Sequence, residues 1–196
     1  MPKFNLPYQF EISIIMEMED KPNEEQRLYL RKGHSETFHH LLIKILAYCF
    51  FWNEPERLII EPSFRFRGYK PDLLSLVPPA NPRKLEQEVG IWVECKNVTL
   101  KKLEKLSKAL PRSKICWFNL ESSFRGLFKS LKQRKKLFSH RNLKLIGIKL
   151  EKDVYEFLAY NLGRKNPIWY VSRNLNTFEI SNGSWIKNVE FLKLLE

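Results

Sequence analysis

A chain of 196 residues with 43% hydrophobic and 13% aromatic content can bury one good core and is short for two, so we expect a single domain over 1–196. The longest apolar run, 45–52, is far too short to cross a bilayer, and the opening MPKFNLPYQFEISII lacks the basic-then-apolar layout of a signal peptide, which points to a cytoplasmic protein with no membrane partner. The formal charge of +12 is localised: 96–149 carries 16 Lys/Arg against 2 Asp/Glu, leaving 18 basic and 20 acidic residues elsewhere, a distribution that suits a polyanion-facing surface. Cys49, Cys95 and Cys116 sit in apolar stretches without CxxC spacing and read as buried free thiols of a reducing compartment. With four histidines and no paired Cys/His spacing, a structural zinc site is not expected.

Taken in chain order, 10–18 and 26–31 read as strands of an N-terminal hairpin around the charged turn 19–23. Ser35 is a candidate cap for a helix over 36–52 whose later part is apolar nearly all round and should be central. Strands follow at 57–66 and 72–76, joined through Arg67-Gly68-Tyr69-Lys70, a proline-rich loop leads to a strand at 91–96, and Thr99 can cap a helix over 100–109. The strand at 114–118 then implies a parallel crossover. An amphipathic helix with a basic face spans 121–138, a strand 143–150 and a short helix 154–162. Strands at 168–172, 178–181 and 185–192 close the chain, with Asn182-Gly183 as a hairpin turn.

The chemistry concentrates in Pro71-Asp72 and Glu94-Cys95-Lys96. On a strand, side chains alternate, so Ile91, Val93 and Cys95 share one face and Trp92, Glu94 and Lys96 the other. Glu and Lys together on a buried strand need a reason. Two carboxylates and an amine on neighbouring strands suit metal-assisted phosphodiester cleavage; the bland alternative is a solvated cross-strand ladder with Asp72 in an ordinary turn. The string alone is cheap, since Glu19-Asp20-Lys21 also spells it in a polar turn.

These residues, with Glu36 opening the preceding helix, resemble the PD-(D/E)xK nuclease superfamily. More narrowly, the chain resembles the YaeQ family through Gly33-His34-Ser35-Glu36-Thr37, Ile91-Trp92-Val93-Glu94, the Lys-rich helix with Leu103 and Leu106, and Ser184-Trp185-Ile186. The resemblance implies an α/β (α+β) fold with a restriction-endonuclease-like core: a mixed central sheet flanked by helices, with N- and C-terminal β-hairpin extensions. It also implies one Mg²⁺ or Mn²⁺ on Asp72, Glu94 and the backbone carbonyl of Cys95, hard-cation ligands, with Glu36 completing the shell. Lys96 would orient or deprotonate the nucleophile. Glu36 has an alternative as an acidic residue favoured by the helix dipole, and His39 and His40 read as packing or solvated residues.

Upstream, Phe64-Arg65-Phe66-Arg67-Gly68-Tyr69-Lys70 alternates apolar with cationic residues. Either Arg65, Arg67 and Lys70 meet phosphate with Tyr69 stacking on a base, or the run is a strand with one buried aromatic face. Lys101, Lys102 and Lys105, and Arg125, Lys129, Lys132 and Lys136, form two further basic faces with few acidic partners nearby in sequence. We expect a metal-dependent enzyme cleaving DNA or RNA. The alternatives are a catalytically inactive YaeQ-like protein that binds nucleic acid or a partner, and an interaction domain whose basicity serves anionic partners in general.

Overall fold

The computed structural model describes residues 8–18, 21–54, 57–79, 87–128, 139–164 and 167–195. Its elements in chain order are β1 (Tyr8–Met18), β2 (Lys21–Lys32), α1 (Phe38–Phe50), β3 (Ile59–Ile60), β4 (Leu73–Val77), β5 (Glu88–Cys95), α2 (Leu100–Ala109), β6 (Lys114–Leu120), α3 (Glu121–Phe128), β7 (Leu143–Lys149), α4 (Lys152–Leu162), β8 (Ile168–Asn174), β9 (Thr177–Ser181) and β10 (Ile186–Leu195). The fold is mixed α+β, and its contacts separate into two compact units, Met1–Leu42 with Lys149–Phe191, and Ile43–Ile148 with Leu192–Glu196.

In the first unit, β1 and β2 form the expected antiparallel hairpin, with Ile12 opposite Leu28 and Phe10 opposite Leu30. The two terminal hairpins are not separate extensions: β1 also pairs in parallel with β8, and the strand order runs β2-β1-β8-β9-β10. Alternation fixes which face is inside. Ile12, Ile14 and Met16 of β1, Trp169 and Val171 of β8, Phe178 and Ile180 of β9, and Val189 and Phe191 of β10 are buried, while their neighbours are less so. The Asn182-Gly183 turn is present: Gly183 has φ 85° and the Asn182 side chain accepts the Ser184 amide at 3.0 Å.

The second unit holds strands in the order β7-β6-β5-β4-β3, with β3, β4 and β5 antiparallel and β5, β6 and β7 parallel. The strand, helix, strand order β5-α2-β6 is thus the expected parallel crossover. Trp92, Trp117, Leu74, Ile115 and Leu145 form one core with Leu103 and Leu106 of α2 and Phe124 of α3. Phe118, adjacent to Trp117 and so on the opposite strand face, meets Phe50 and Phe51 edge-on at 5.5 and 5.7 Å. The three cysteines are free and buried, and burial pushes the thiols of Cys49 and Cys116 up to about 12.

Three local expectations are corrected. Helix α1 begins at Phe38 and not 36, because Gly33 and Glu36 close a turn first (Glu36 amide to Gly33 carbonyl, 3.1 Å) and Thr37, not Ser35, accepts the His40 amide on its side chain at 3.2 Å. The strand expected over 57–66 shrinks to Ile59–Ile60, since Glu61 turns away with φ 52° and Pro62 has no N–H to give. Phe66 and Tyr69 exchange both backbone hydrogen bonds at 2.9 Å around Arg67 (φ 49°) and Gly68 (φ 81°), a tight two-residue turn of the I′ kind where a connection over 67–70 was expected, so the alternative of a continuous strand through 64–70 does not hold. Thr99 caps α2 as expected. Residues 129–138 of the expected long basic helix lie outside the described residues.

Candidate metal and nucleic-acid site

The pairing of β4 with β5 sets Leu73 opposite Val93, and Asp72, in the bend just before β4, lies at the end of that pair close enough to Glu94 for their charges to interact. The two carboxylates expected to act together are therefore brought near each other where the antiparallel pair ends. Asp72 is anchored by its backbone (amide to Val93 carbonyl, 3.0 Å; carbonyl from Glu61 amide, 2.8 Å), and its Oδ2 accepts the Cys95 amide at 2.7 Å. Glu94 is buried, 5% exposed, and its Oε1 accepts the Trp92 indole N–H at 2.7 Å and meets Lys102 Nζ at 2.5 Å. Trp92 and Glu94 share a face two residues apart, which is why the indole can reach the carboxylate.

Burial is the largest influence on Glu94 and raises its pKa above the usual carboxylate value; Lys102 and the Trp92 indole oppose that, while Asp72 adds to it by like-charge repulsion. The neighbouring charges are thus two carboxylates that repel each other, with ammonium groups supplied by two helices. Lys102 comes from α2. Lys44 comes from α1, is 4% exposed, and sits 2.8 Å from Glu61 Oε1 and 3.5 Å from Asp72 Oδ1.

Lys44 and Glu61 are the members that sequence reasoning missed. The signal for Lys44 was a single cation inside the apolar run 41–47, a residue that is buried only with a partner. Glu61 carried no comparable signal, because its role depends on a left-handed backbone at φ 52°.

Lys96 lies just beyond β5 and does not continue its alternation: its φ is 61°. Its amide donates to the Phe118 carbonyl at 2.8 Å, and its carbonyl accepts the Trp117 indole N–H at 2.6 Å and the Asn119 side-chain amide at 3.3 Å. A non-glycine residue in that region costs about 1–2 kcal/mol, so the surroundings must hold it there. Glu36 belongs to the first unit, where it accepts the Gly33 amide at 3.4 Å and pairs with His40 Nδ1 at 3.0 Å. Asp72, Glu94, Cys95 and Lys96 all belong to the second. Among the described residues no group of three or more His, Cys, Asp or Glu side chains is placed to hold a metal ion.

Of the expected phosphate contacts, Arg65, Arg67, Lys70, Lys101, Lys105 and Arg125 are exposed. Arg125 is paired with Glu121 one helical turn before it, at 3.0 Å. Lys102 is not a surface cation: it is turned onto Glu94 and lies 5.5 Å from the centre of the Tyr69 ring. Lys129, Lys132 and Lys136 fall outside the described residues. No helix among the described residues is long and apolar enough to cross a membrane.

Two solved structures superpose on nearly the whole chain. One is the YaeQ protein from Xanthomonas axonopodis pv. citri, with TM-score 0.71, 15% identity, and coverage of 96% of this chain and 98% of that one. The fold is YaeQ-like. The YaeQ protein from Pseudomonas syringae agrees, with TM-score 0.69, 18% identity and 97% of each chain covered. No protein-family model and no curated protein sequence matches the chain. At these identities the YaeQ likeness carries the fold alone.

Proposed function

We propose that the YaeQ-like fold here carries a metal-dependent phosphodiesterase of the PD-(D/E)xK kind acting on nucleic acid, with Asp72 and Glu94 at its centre. The single observation that supports this best is their placement: two carboxylates near enough to repel at the end of the β4–β5 pair, one of them buried and raised in pKa, at a cost that a purely structural pair would not need to bear. The element order α1-β3-β4-β5-α2-β6, with β3 to β5 antiparallel and β6 parallel to β5, is consistent with a restriction-endonuclease-like core.

The donor set fits Mg²⁺ or Mn²⁺. Both ions favour oxygen, and Mg²⁺ is commonly held by one or two carboxylates with water and substrate phosphate completing its shell. Asp72 and Glu94 would hold the ion, with the Cys95 carbonyl as a third oxygen. When bound, such an ion polarises the phosphate and lowers the pKa of a coordinated water. The protein's own groups do the rest. Lys44 and Lys102 offset the charge of the paired carboxylates in the absence of substrate, the Trp92 indole and the Cys95 amide fix the two carboxylates in place, and Lys96 stands next to Cys95 to orient the nucleophile or take its proton. This reading uses the second unit alone and assigns no role to Glu36.

A second reading has one observation in its favour: each carboxylate already faces an ammonium group, an arrangement that also suits an inactive nucleic-acid-binding relative. A nuclease assay with Mn²⁺ on single- and double-stranded DNA and RNA separates the two. The enzyme reading expects cleavage that Asp72→Asn and Glu94→Gln each lower by about 10²-fold or more. Absence of cleavage, or cleavage that both variants retain, contradicts it.

A further inference from the structure

A groove of about 620 Å³ opens beside α2, within the range of about 300–1,000 Å³ usual for small-ligand sites. Its walls are the turn residues Phe66, Arg67 and Tyr69 on one side and Lys105, Leu106 and Lys108 of α2 on the other. Three cations, two aromatic rings and no carboxylate line it, so its chemistry selects a ligand that is both anionic and flat. Arg67 occupies a turn position with φ 49°, where Asn or Gly is the easy choice, and its guanidinium lies 5.4 Å from the Phe66 ring centre. Backbone strain accepted to place a long cation beside an aromatic ring is the kind of outlier that accompanies a binding site.

We propose that this groove holds unpaired nucleotides of a single-stranded nucleic acid, with phosphates on Arg67, Lys105 and Lys108 and a base against Phe66 or Tyr69. The inference rests on the nucleic-acid reading above and names its substrate form. Stacking on the part-buried Phe66 and Tyr69 rings at the groove wall requires bases that are not paired, and a duplex keeps its bases stacked on one another. Tyr69 also ties the groove to the carboxylate pair. Its ring lies under Lys102 Nζ, which itself sits 2.5 Å from Glu94 Oε1, so a strand seated in the groove is two side chains away from Glu94.

The test is fluorescence anisotropy in EDTA with labelled oligo(dT), oligo(U) and a mixed-sequence duplex of equal length. The protein is expected to bind single strands more tightly than the duplex, the two homopolymers separating DNA from RNA. A Lys105→Glu/Lys108→Glu double variant should weaken single-strand binding tenfold or more, and alanines at the same positions should lower the slope of log K against log salt by about 0.7 per lost phosphate contact. Tyr69→Leu should cost about tenfold, and Tyr69→Phe should restore binding. Charge reversal at Lys152, which is 88% exposed on α4, serves as the control and should cost less. Unchanged affinity in the groove variants, or a duplex bound as tightly as a single strand, overturns the proposal. Because binding is read without metal, failure of the metal centre alone leaves groove-dependent binding with no cleavage. Failure of the groove alone leaves cleavage that groove variants do not alter.

Discussion

Glu94 is the residue on which most of the chemistry converges. Its burial raises its pKa, so the sign of its contribution to stability follows by linkage. The folded state holds the Glu94 proton more tightly than the unfolded chain does. The stability this supplies is complete below the unfolded value, near 4.5, and is lost as pH rises through the higher folded value. Glu94→Gln removes that loss while its amide oxygen can still accept from Trp92 and Lys102. The melting temperature of the variant relative to the parent should therefore climb as pH is raised from about 4 through the weakly acidic range. A relative melting temperature that falls over the same range would mean that Glu94 is held mainly as a stabilised anion. The alternation of 91–96 placed Trp92 and Glu94 on one face, and the structure has them bonded. It also extended the alternation to Lys96, but the strand ends at Cys95 and Lys96 takes a φ of 61°, which no side-chain pattern encodes. Lys44 was readable in principle as the one cation of an apolar helix segment, but its partners at Glu61 and Asp72 come from distant positions in the chain that only tertiary structure brings together.

Among the elements, the two helix starts show what local sequence can decide. At α2 the Thr99 cap was legible because no competing Ser, Thr, Asp or Asn follows it before the apolar positions. At α1 both Ser35 and Thr37 were available, and the turn closed between Gly33 and Glu36 delays the helix to Thr37. Thr37→Ala should cost about 1 kcal/mol in chemical denaturation and Ser35→Ala close to nothing. The reverse order would restore the earlier start and return Glu36 to the first helical turn. The strand at β3 was overread for a similar reason: the aromatic residues Phe64 and Phe66 continue past Ile60, but the left-handed Glu61 and the proline after it end the pairing.

Over the whole molecule, the sequence indicated a mixed α+β fold and the parallel crossover at β5-α2-β6, since each rests on short-range patterns of period and length. The parallel pairing of β1 with β8 was not visible, because it joins strands from opposite ends of the chain and alternation alone does not choose a partner. Charge is the other property of this scale. The cations of 96–149 are partly spent on internal partners, with Lys102 on Glu94, Lys114 on Glu54 and Arg125 on Glu121, while Lys101, Lys105 and Lys108 on α2 are exposed. Nucleic-acid affinity should accordingly fall steeply with salt, and substitution of exposed α2 lysines should flatten the dependence more than substitution of Arg125. A salt-independent affinity would remove the basic surface from the account.

If Asp72 and Glu94 form a dication site, calorimetric titration with Mn²⁺ detects it without need of a substrate. The parent protein should bind one ion per chain, with binding weakened at least tenfold by Asp72→Asn and by Glu94→Gln, and tighter as pH rises because the carboxylates must be ionised to bind. No heat of binding in the parent, or an affinity that neither substitution changes, would contradict it.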